Sequence, residues 1–416
     1  MTARLRLASG RTFRSLGVRN YRLYFIGQLV SNTGSWMQTV AQSWLVLNLT
    51  DSGSALGLTI GLQFLPLLLF GVWGGVIADR VDKRRVLIAT QGTYAALALT
   101  LWVLVATHTV ELWMVYALAF ALGCVTVVDL PTRQAFVTEM VGPEQLPNAI
   151  GLNSAVFNAA RLLGPAAAGF IIDRAGVAPA FVVNAISFLA VIGGLVAMRT
   201  GELFRYAPAP REKGQIRAGL RYVWQNPVLR STLLLVTLVA TFGFNFIVIL
   251  PVLARHTFHG SARLYGTLSA AMGVGSLIGA LLVAGRPHPS RRVLVGAAVL
   301  FGALTLLTAE APTPLIAGVL LVLVGTSLIV FIATANSMLQ LTAERTMRGR
   351  VMAIYGLVFL GSTPVGGPLL GWICQHWDAR AGLAFSGLVS LGAGLVALSA
   401  ARRAAVDEPA VEPIAA

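Results

Sequence analysis

GVWGGVIADRVDKRRV, residues 71–86, marks the place where the chain changes solvent. No charged residue occurs from Ser52 to Ala78, and then Asp79, Arg80, Asp82, Lys83, Arg84 and Arg85 follow within seven positions. A helix needs about 20 apolar residues to cross a hydrocarbon core of about 30 Å. The run before Asp79 exceeds that length, so the cluster reads as the polar border of a membrane span.

The same reading extends along the chain. Of 416 residues, 56% are hydrophobic and only 11% are charged, with a mean hydropathy of +0.77. An ordinary soluble domain carries roughly 25% charged residues. Uncharged windows long enough to span lie at 23–50, 52–78, 86–110, 112–128, 175–198, 231–254, 264–285, 293–309, 311–343, 351–377 and 381–401, and a twelfth, about 147–172, is interrupted by Arg161. The expected fold is an all-α integral membrane protein with twelve transmembrane helices in two six-helix bundles. The first apolar run is too long for a signal-peptide core and lacks a small-residue cleavage pattern, so it is expected to be retained. Cys124 and Cys374 both lie in apolar runs, which points to neither a disulfide framework nor a metal site.

The bases set an orientation. With the N-terminus placed in the cytoplasm, 26 of the 31 bases fall in cytoplasmic segments, against Arg174, Arg255, Arg263 and Arg380 outside and Arg161 within a span. This positive-inside bias puts both termini in the cytoplasm. The net charge of +15 is then explained by topology and anionic lipid, and no nucleic-acid partner is expected. The expected organisation is a cytoplasmic segment 1–22, a six-helix bundle 23–198, a cytoplasmic loop 199–230, a second bundle 231–401 and a cytoplasmic tail 402–416 whose end is expected to be disordered. Within the loop, GQIRAGLRYVW (214–224) has Ile216, Leu220 and Val223 at helical spacing and predicts a short helix on the inner membrane surface. RLLGPAAAG (161–169) and TPVGGPLLG (363–371) stand in the fifth span of each half. Repeated halves around a central site are a pattern of secondary transporters.

At the border, Gly75 and Asp79 are one helical turn apart, so a neighbouring helix can approach at Gly75 while Asp79 faces the same contact. The dipole of its own helix opposes a carboxylate at that end. Asp79 therefore needs Arg80, Arg84 or the start of another helix, such as the span beginning near Arg350.

GVIADRVDKRR (75–85) resembles the loop 2–3 signature of the major facilitator superfamily, where a glycine is usual at the place of Asp82. Gly151, Ala160, Gly164, Pro165 and Gly169 resemble the helix-5 motif of its antiporters, with alanines at 160 and 168 in place of glycines. NYRLYFIGQLVSNTGSWMQTVAQSWLV (20–46), DLPTRQAFVTEMV (129–141), LPNAIGLNSAVFNAARLLGP (146–165) and RGRVMAIYGLVFLGSTPVGG (348–367) are similar to the branch that includes the enterobactin exporter and related efflux permeases. The resemblance covers nearly the whole chain. It implies two bundles that rock about a central cavity, with Gly75, Asp79, Arg80 and Arg84 joining them on the cytoplasmic side when the cavity faces outward.

Polar residues within spans are costly and face protein or a cavity. Gln28, Asn32, Trp36, Thr39 and Ser43 share one helical face, and Gln38 and Gln42 form the neighbouring stripe. These residues, with Asn245 and Asn336, either line a cargo cavity or make helix-packing hydrogen bonds. Arg161 lies about 21 Å into its span counted from Pro147. It either binds an anionic group of the cargo or is neutralised by neighbours such as Asn158. Asp129 is the one carboxylate inside or near the core of a span and the only obvious proton carrier; the structural alternative is an ion pair with Arg133 or Arg80. The histidines lie at span ends or in loops.

The expected function is a proton-driven exporter of small drug-like or siderophore-like molecules in the inner cell membrane. It is expected to act as a monomer with no cofactor beyond the proton gradient. A proton-independent facilitator or importer and a non-transporting membrane sensor or scaffold are the alternatives. No GxSxG, HExxH or GxxxxGK[ST] occurs, which argues against an enzyme.

Overall fold

The computed structural model describes residues 13–204, 215–285 and 289–406, and within these nothing is described of the side chains of residues 72, 76–79, 215, 216 and 400–406. Its helices are α1 (Arg19–Thr50), α2 (Gly53–Arg80), α3 (Lys83–Ala106), α4 (Leu112–Ala175), α5 (Ala178–Val196), α6 (Gln215–Gln225), α7 (Pro227–Leu238), α8 (Phe246–Val252), α9 (Ala262–Ala284), α10 (Arg291–Ala309), α11 (Pro314–Thr342), α12 (Arg348–Gly361), α13 (Thr363–His376) and α14 (Ala379–Val406). No strand occurs among the described residues. Ten stretches are long and apolar enough to cross a membrane. The 32-residue α1 is not among them, because its polar face lowers its hydropathy.

Several spans differ from their sequence windows. The windows 112–128 and 147–172 become parts of one 64-residue helix, folded at Gly142, where φ is 70° and ψ 175°. At 1.5 Å per residue the unbroken helix would be about 96 Å long, three times a hydrocarbon core. The fold gives α4 a first arm before Gly142 and a second arm after it. Phe204 donates its backbone N–H to the Glu139 carbonyl at 2.8 Å, and its ring lies 3.2 Å from where a Gly142 Cβ would stand. The window 231–254 is not one helix either. Five-residue π-helical turns at Val239–Gly243 and Leu253–Thr257 flank a break at Phe244 and Asn245 and the seven-residue α8. The window 351–377 divides at Ser362 into α12 and α13. The expected surface helix is α6, in which Val223 is buried while Leu220 and Trp224 are exposed; Ile216's side chain and most of the 402–416 tail lie outside the described residues.

Helices α1–α5 pack mainly on one another, as do α7–α14, and the two groups meet along two seams, α2 with α13 and the second arm of α4 with α9. Both seams are made of small residues. A Cβ on Gly57 would stand 2.5 Å from the Gly367 carbonyl, and one on Gly61 would stand 2.8 Å from Pro368 Cγ. On the other seam, a Cβ on Gly266 would stand 2.8 Å from the Gly169 Cα and one on Gly273 2.9 Å from the Leu162 Cα. Absence of side chains lets the backbones touch, which is how helices associate where water supplies no driving force.

These seams concentrate at the end of the molecule opposite Arg80–Arg85. There the Gly53 N–H donates to Gln375 Oε1 at 2.7 Å, and Asp51 pairs with Arg255 at 2.9 Å and with His256 at 3.0 Å. Arg255 also donates to Asn48 at 2.7 Å. The seam thins towards the basic end, where Gly361 lies near Leu68.

Candidate transport cavity and charge network

Two cavities open off the polar face of α1. The first, of about 120 Å³, lies between the two halves and is lined by Trp36, Thr39 and Phe64, by Arg161 and Pro165 of α4, and by Phe244–Ile247, Tyr265 and Thr363. The second, of about 180 Å³, lies within the first half and is lined by Asn32, Gln38, Gln42, Tyr94, Arg133 and Asn184 among others. Thr39 faces both. The first is mainly apolar, and the second is polar.

Arg161 is the one charged residue lining the first cavity. Its guanidinium carbon lies 5.7 Å from the ring centroids of both Trp36 and Phe244, one from each half. Among the described residues it has no hydrogen bond or ion pair. Asn158, the neighbour named in the structural alternative, donates to the Ser154 carbonyl at 2.8 Å from a half-buried position. Asn245 lines this cavity while its amide donates to the Thr241 carbonyl at 2.8 Å, holding the π turn that precedes it. Asn336 lines neither cavity and accepts from Gln340.

Asp129 lies in the opposite kind of setting. It is buried, and its carboxylate accepts from Thr90 at 2.7 Å, from Gln91 at 3.0 Å and from Arg133. Arg133, four residues later on α4, also donates to Gln28, which accepts in turn from Asn32. Gln38 accepts from Asn184 at 2.7 Å, and this bond joins α1 to α5. Thr90 and Gln91 were not anticipated. They belong to α3, whose sequence carries them as isolated polar residues in an apolar run.

The border residues disperse. Asp79's side chain lies outside the described residues, and Arg80 is exposed without a partner among them. Arg84 donates to the Leu195 carbonyl at 2.6 Å and the Val196 carbonyl at 3.1 Å, capping the C-terminal end of α5. Lys83 bridges to Glu139 at 2.7 Å. Asp82 accepts from the Arg85 N–H at 3.0 Å and so starts α3 as its N-cap, a role for the acid that stands where the superfamily pattern has glycine. Gly74, adjacent to Gly75, packs against the Val127 carbonyl of α4. In the helix-5 motif Gly164 lies against Trp36 and Gly169 against Arg263, beside Pro165 in the cavity wall, whereas Gly151 faces open space.

Comparison with known proteins agrees with this geometry. The family model described as transmembrane secretion effector matches residues 11–415. The chain is 29% identical over 398 residues to the multidrug efflux pump Tap of Mycolicibacterium fortuitum, covering 92% of this chain and 96% of that one. It is 26% identical over 392 residues to the enterobactin exporter EntS of Salmonella typhi, covering 91% of each. In fold it resembles the crystal structure of a bacterial homolog of the human lysosomal transporter Spinster in an inward-facing, unoccupied conformation, with a TM-score of 0.70 at 14% identity over 91% of this chain and 96% of that one.

Proposed function

Because this chain belongs to the transmembrane secretion effector family of major facilitator superfamily transporters, a family of multi-pass membrane proteins and not of enzymes, we propose that it exports small organic molecules by alternating access. The observation that carries this is the cavity between the halves. Its walls come from both groups of helices, and the glycine seams close it off at the end opposite Arg80–Arg85. The basic end faces the cytoplasm and holds both termini. Cargo enters the cavity from that side, and separation of the seams releases it on the other. The drug and siderophore exporters among the relatives support this direction. The working unit is a monomer, since the cavity is complete within one chain.

Exchange for protons is the energy source that fits an exporter working against a gradient, and Asp129 is the acid placed to carry it. Arg133, Thr90 and Gln91 surround its carboxylate, so protonation would loosen contacts joining α3, α4 and, through Gln28, α1. The same donors favour a second reading, in which Asp129 is a permanent ion pair and the protein is a facilitator driven by the cargo gradient.

Proteoliposomes with an imposed pH gradient and an internal pH dye separate the two. Lipophilic cations, neutral drugs and catecholate siderophores are added in turn to wild type and Asp129→Asn. Cargo-dependent collapse of the gradient in wild type alone supports proton exchange through Asp129. Cargo movement without proton movement in either protein supports the facilitator, and no movement of any cargo refutes transport of these classes.

A further inference from the structure

We propose that Arg161 is the recognition site for an anionic head group, and that the cargo class is an amphipathic organic anion: a carboxylate on a flat apolar body. This rests on the reading of the central cavity as the cargo site. A guanidinium offers five N–H donors, and among the described residues none of those on Arg161 is taken. Trp36 and Phe244 lie against the guanidinium, but ring contacts do not satisfy the N–H groups along its edge. No carboxylate among the described residues lines the cavity. The buried acid on the same helix, Asp129, stands on the other arm and is already held by Arg133, Thr90 and Gln91. A charge set among apolar groups without a partner is expensive. An arriving carboxylate relieves that cost through a two-pronged contact.

The remaining walls suit the rest of such a molecule. Phe64, Phe246 and Met272 are apolar, and Tyr265 and Ser269 add hydroxyl groups. At about 120 Å³ the cavity is smaller than the roughly 300–1,000 Å³ pocket of a drug-sized ligand. It receives the anionic head, while the body extends towards the basic end, where the seams thin. Because Trp36 and Phe244 belong to different halves, a head group seated on Arg161 enters between the two parts that must separate.

The test is direct binding of 1-pyrenebutyric acid and its uncharged methyl ester to purified protein in detergent, read by quenching of tryptophan fluorescence, with wild type, Arg161→Gln and Arg161→Lys. Wild type should bind the acid at least ~10-fold more tightly than the ester, as a charge-assisted hydrogen bond implies. Arg161→Gln should bind acid and ester alike, and Arg161→Lys should keep part of the preference. Equal binding of acid and ester by wild type, a preference that survives in Arg161→Gln, or no binding of either probe overturns the proposal. If Arg161→Gln does not fold, the wild-type comparison and Arg161→Lys still decide it. Flux of the same pair in proteoliposomes separates this inference from the transport reading: Arg161-dependent binding without flux refutes export of this probe and leaves the site in place.

Discussion

Two arginines on the long helix α4 receive opposite treatment. Arg133, on the first arm, is paired with a carboxylate that is only 4% exposed, and that carboxylate accepts two further hydrogen bonds from α3. Arg161, on the second arm, meets two aromatic rings and no acid. Each also touches α1, through Gln28 in one case and Trp36 in the other. Among the described residues, one of these charges is completed by acid and amide partners of its own half, and the other is left with aromatic neighbours alone. The first arrangement holds three helices together, and the second keeps a cavity between the halves receptive.

The contrast breaks most readily at Asp129. Asp129→Ala leaves Arg133, half-buried, with only Gln28 as partner and strips Thr90 and Gln91 of their acceptor, where loss of one member of a fully buried pair would cost about 3–5 kcal/mol. A large fall in melting temperature in detergent is expected, with Asp129→Asn showing a smaller one because its amide oxygen still accepts. A melting temperature unchanged by Asp129→Ala would remove the structural half of the comparison.

The second prediction concerns the seam that separates the central cavity from the far end. Gly57→Leu places a side chain against the Gly367 carbonyl, and forced overpacking costs about 1–3 kcal/mol. The halves should part there, so that spin labels on Asn48 and Trp377 report a longer distance in the variant and transport falls. An unchanged distance with normal transport would show that the seam is not the closure.

Arg161→Gln is expected not to lower stability, since it deletes a costly charge that has no protein partner to strand. A thermal melt beside that of Asp129→Ala measures the comparison itself. A loss as large as that of Asp129→Ala would mean that Arg161, too, is a structural charge.

The smallest effect belongs to the ion cluster at the far end. His256, then Arg255, holds the Asp51 carboxyl below its ordinary value of 3.8. A carboxylate with a depressed value contributes fully above its ordinary value and loses that contribution as pH falls through the depressed one. Asp51's share of the closure should thus be constant at neutral pH and vanish only in strong acid. Being exposed, it is worth at most about 1 kcal/mol. Asp51→Asn should shift the spin-label distances slightly at pH 7 and not at all in strong acid; a large effect would make the cluster the principal lock.

The membrane class and the family were legible in the sequence because uncharged run lengths and basic clusters report directly on solvent. Asp129 and Arg161 were also legible, as charges where charge is costly. Their opposite roles were not, because those depend on residues brought close by packing: Thr90 and Gln91 from α3 for one, Phe244 for the other. Phe244 looked like any apolar residue of its window, since a backbone break with π turns on either side has no clear signature in run length. The seam carried a readable signal in Gly53, Gly57 and Gly61, spaced four apart, yet its partner glycines, Gly367 and Gly371, lie about three hundred residues away. Arg84 shows the reverse case, where the motif was visible and the carbonyl partners at the end of α5, more than a hundred residues away, were not.

The central claim is that cargo leaves through the cavity at Arg161, from the basic end to the far end. Its most direct test is uptake of 1-pyrenebutyric acid into inside-out and right-side-out membrane vesicles with an outwardly directed proton gradient (acidic lumen), each compared with vesicles containing Arg161→Gln. Accumulation in inside-out vesicles that depends on Arg161 is expected. Accumulation confined to right-side-out vesicles, or equal with Arg161→Gln, would contradict it.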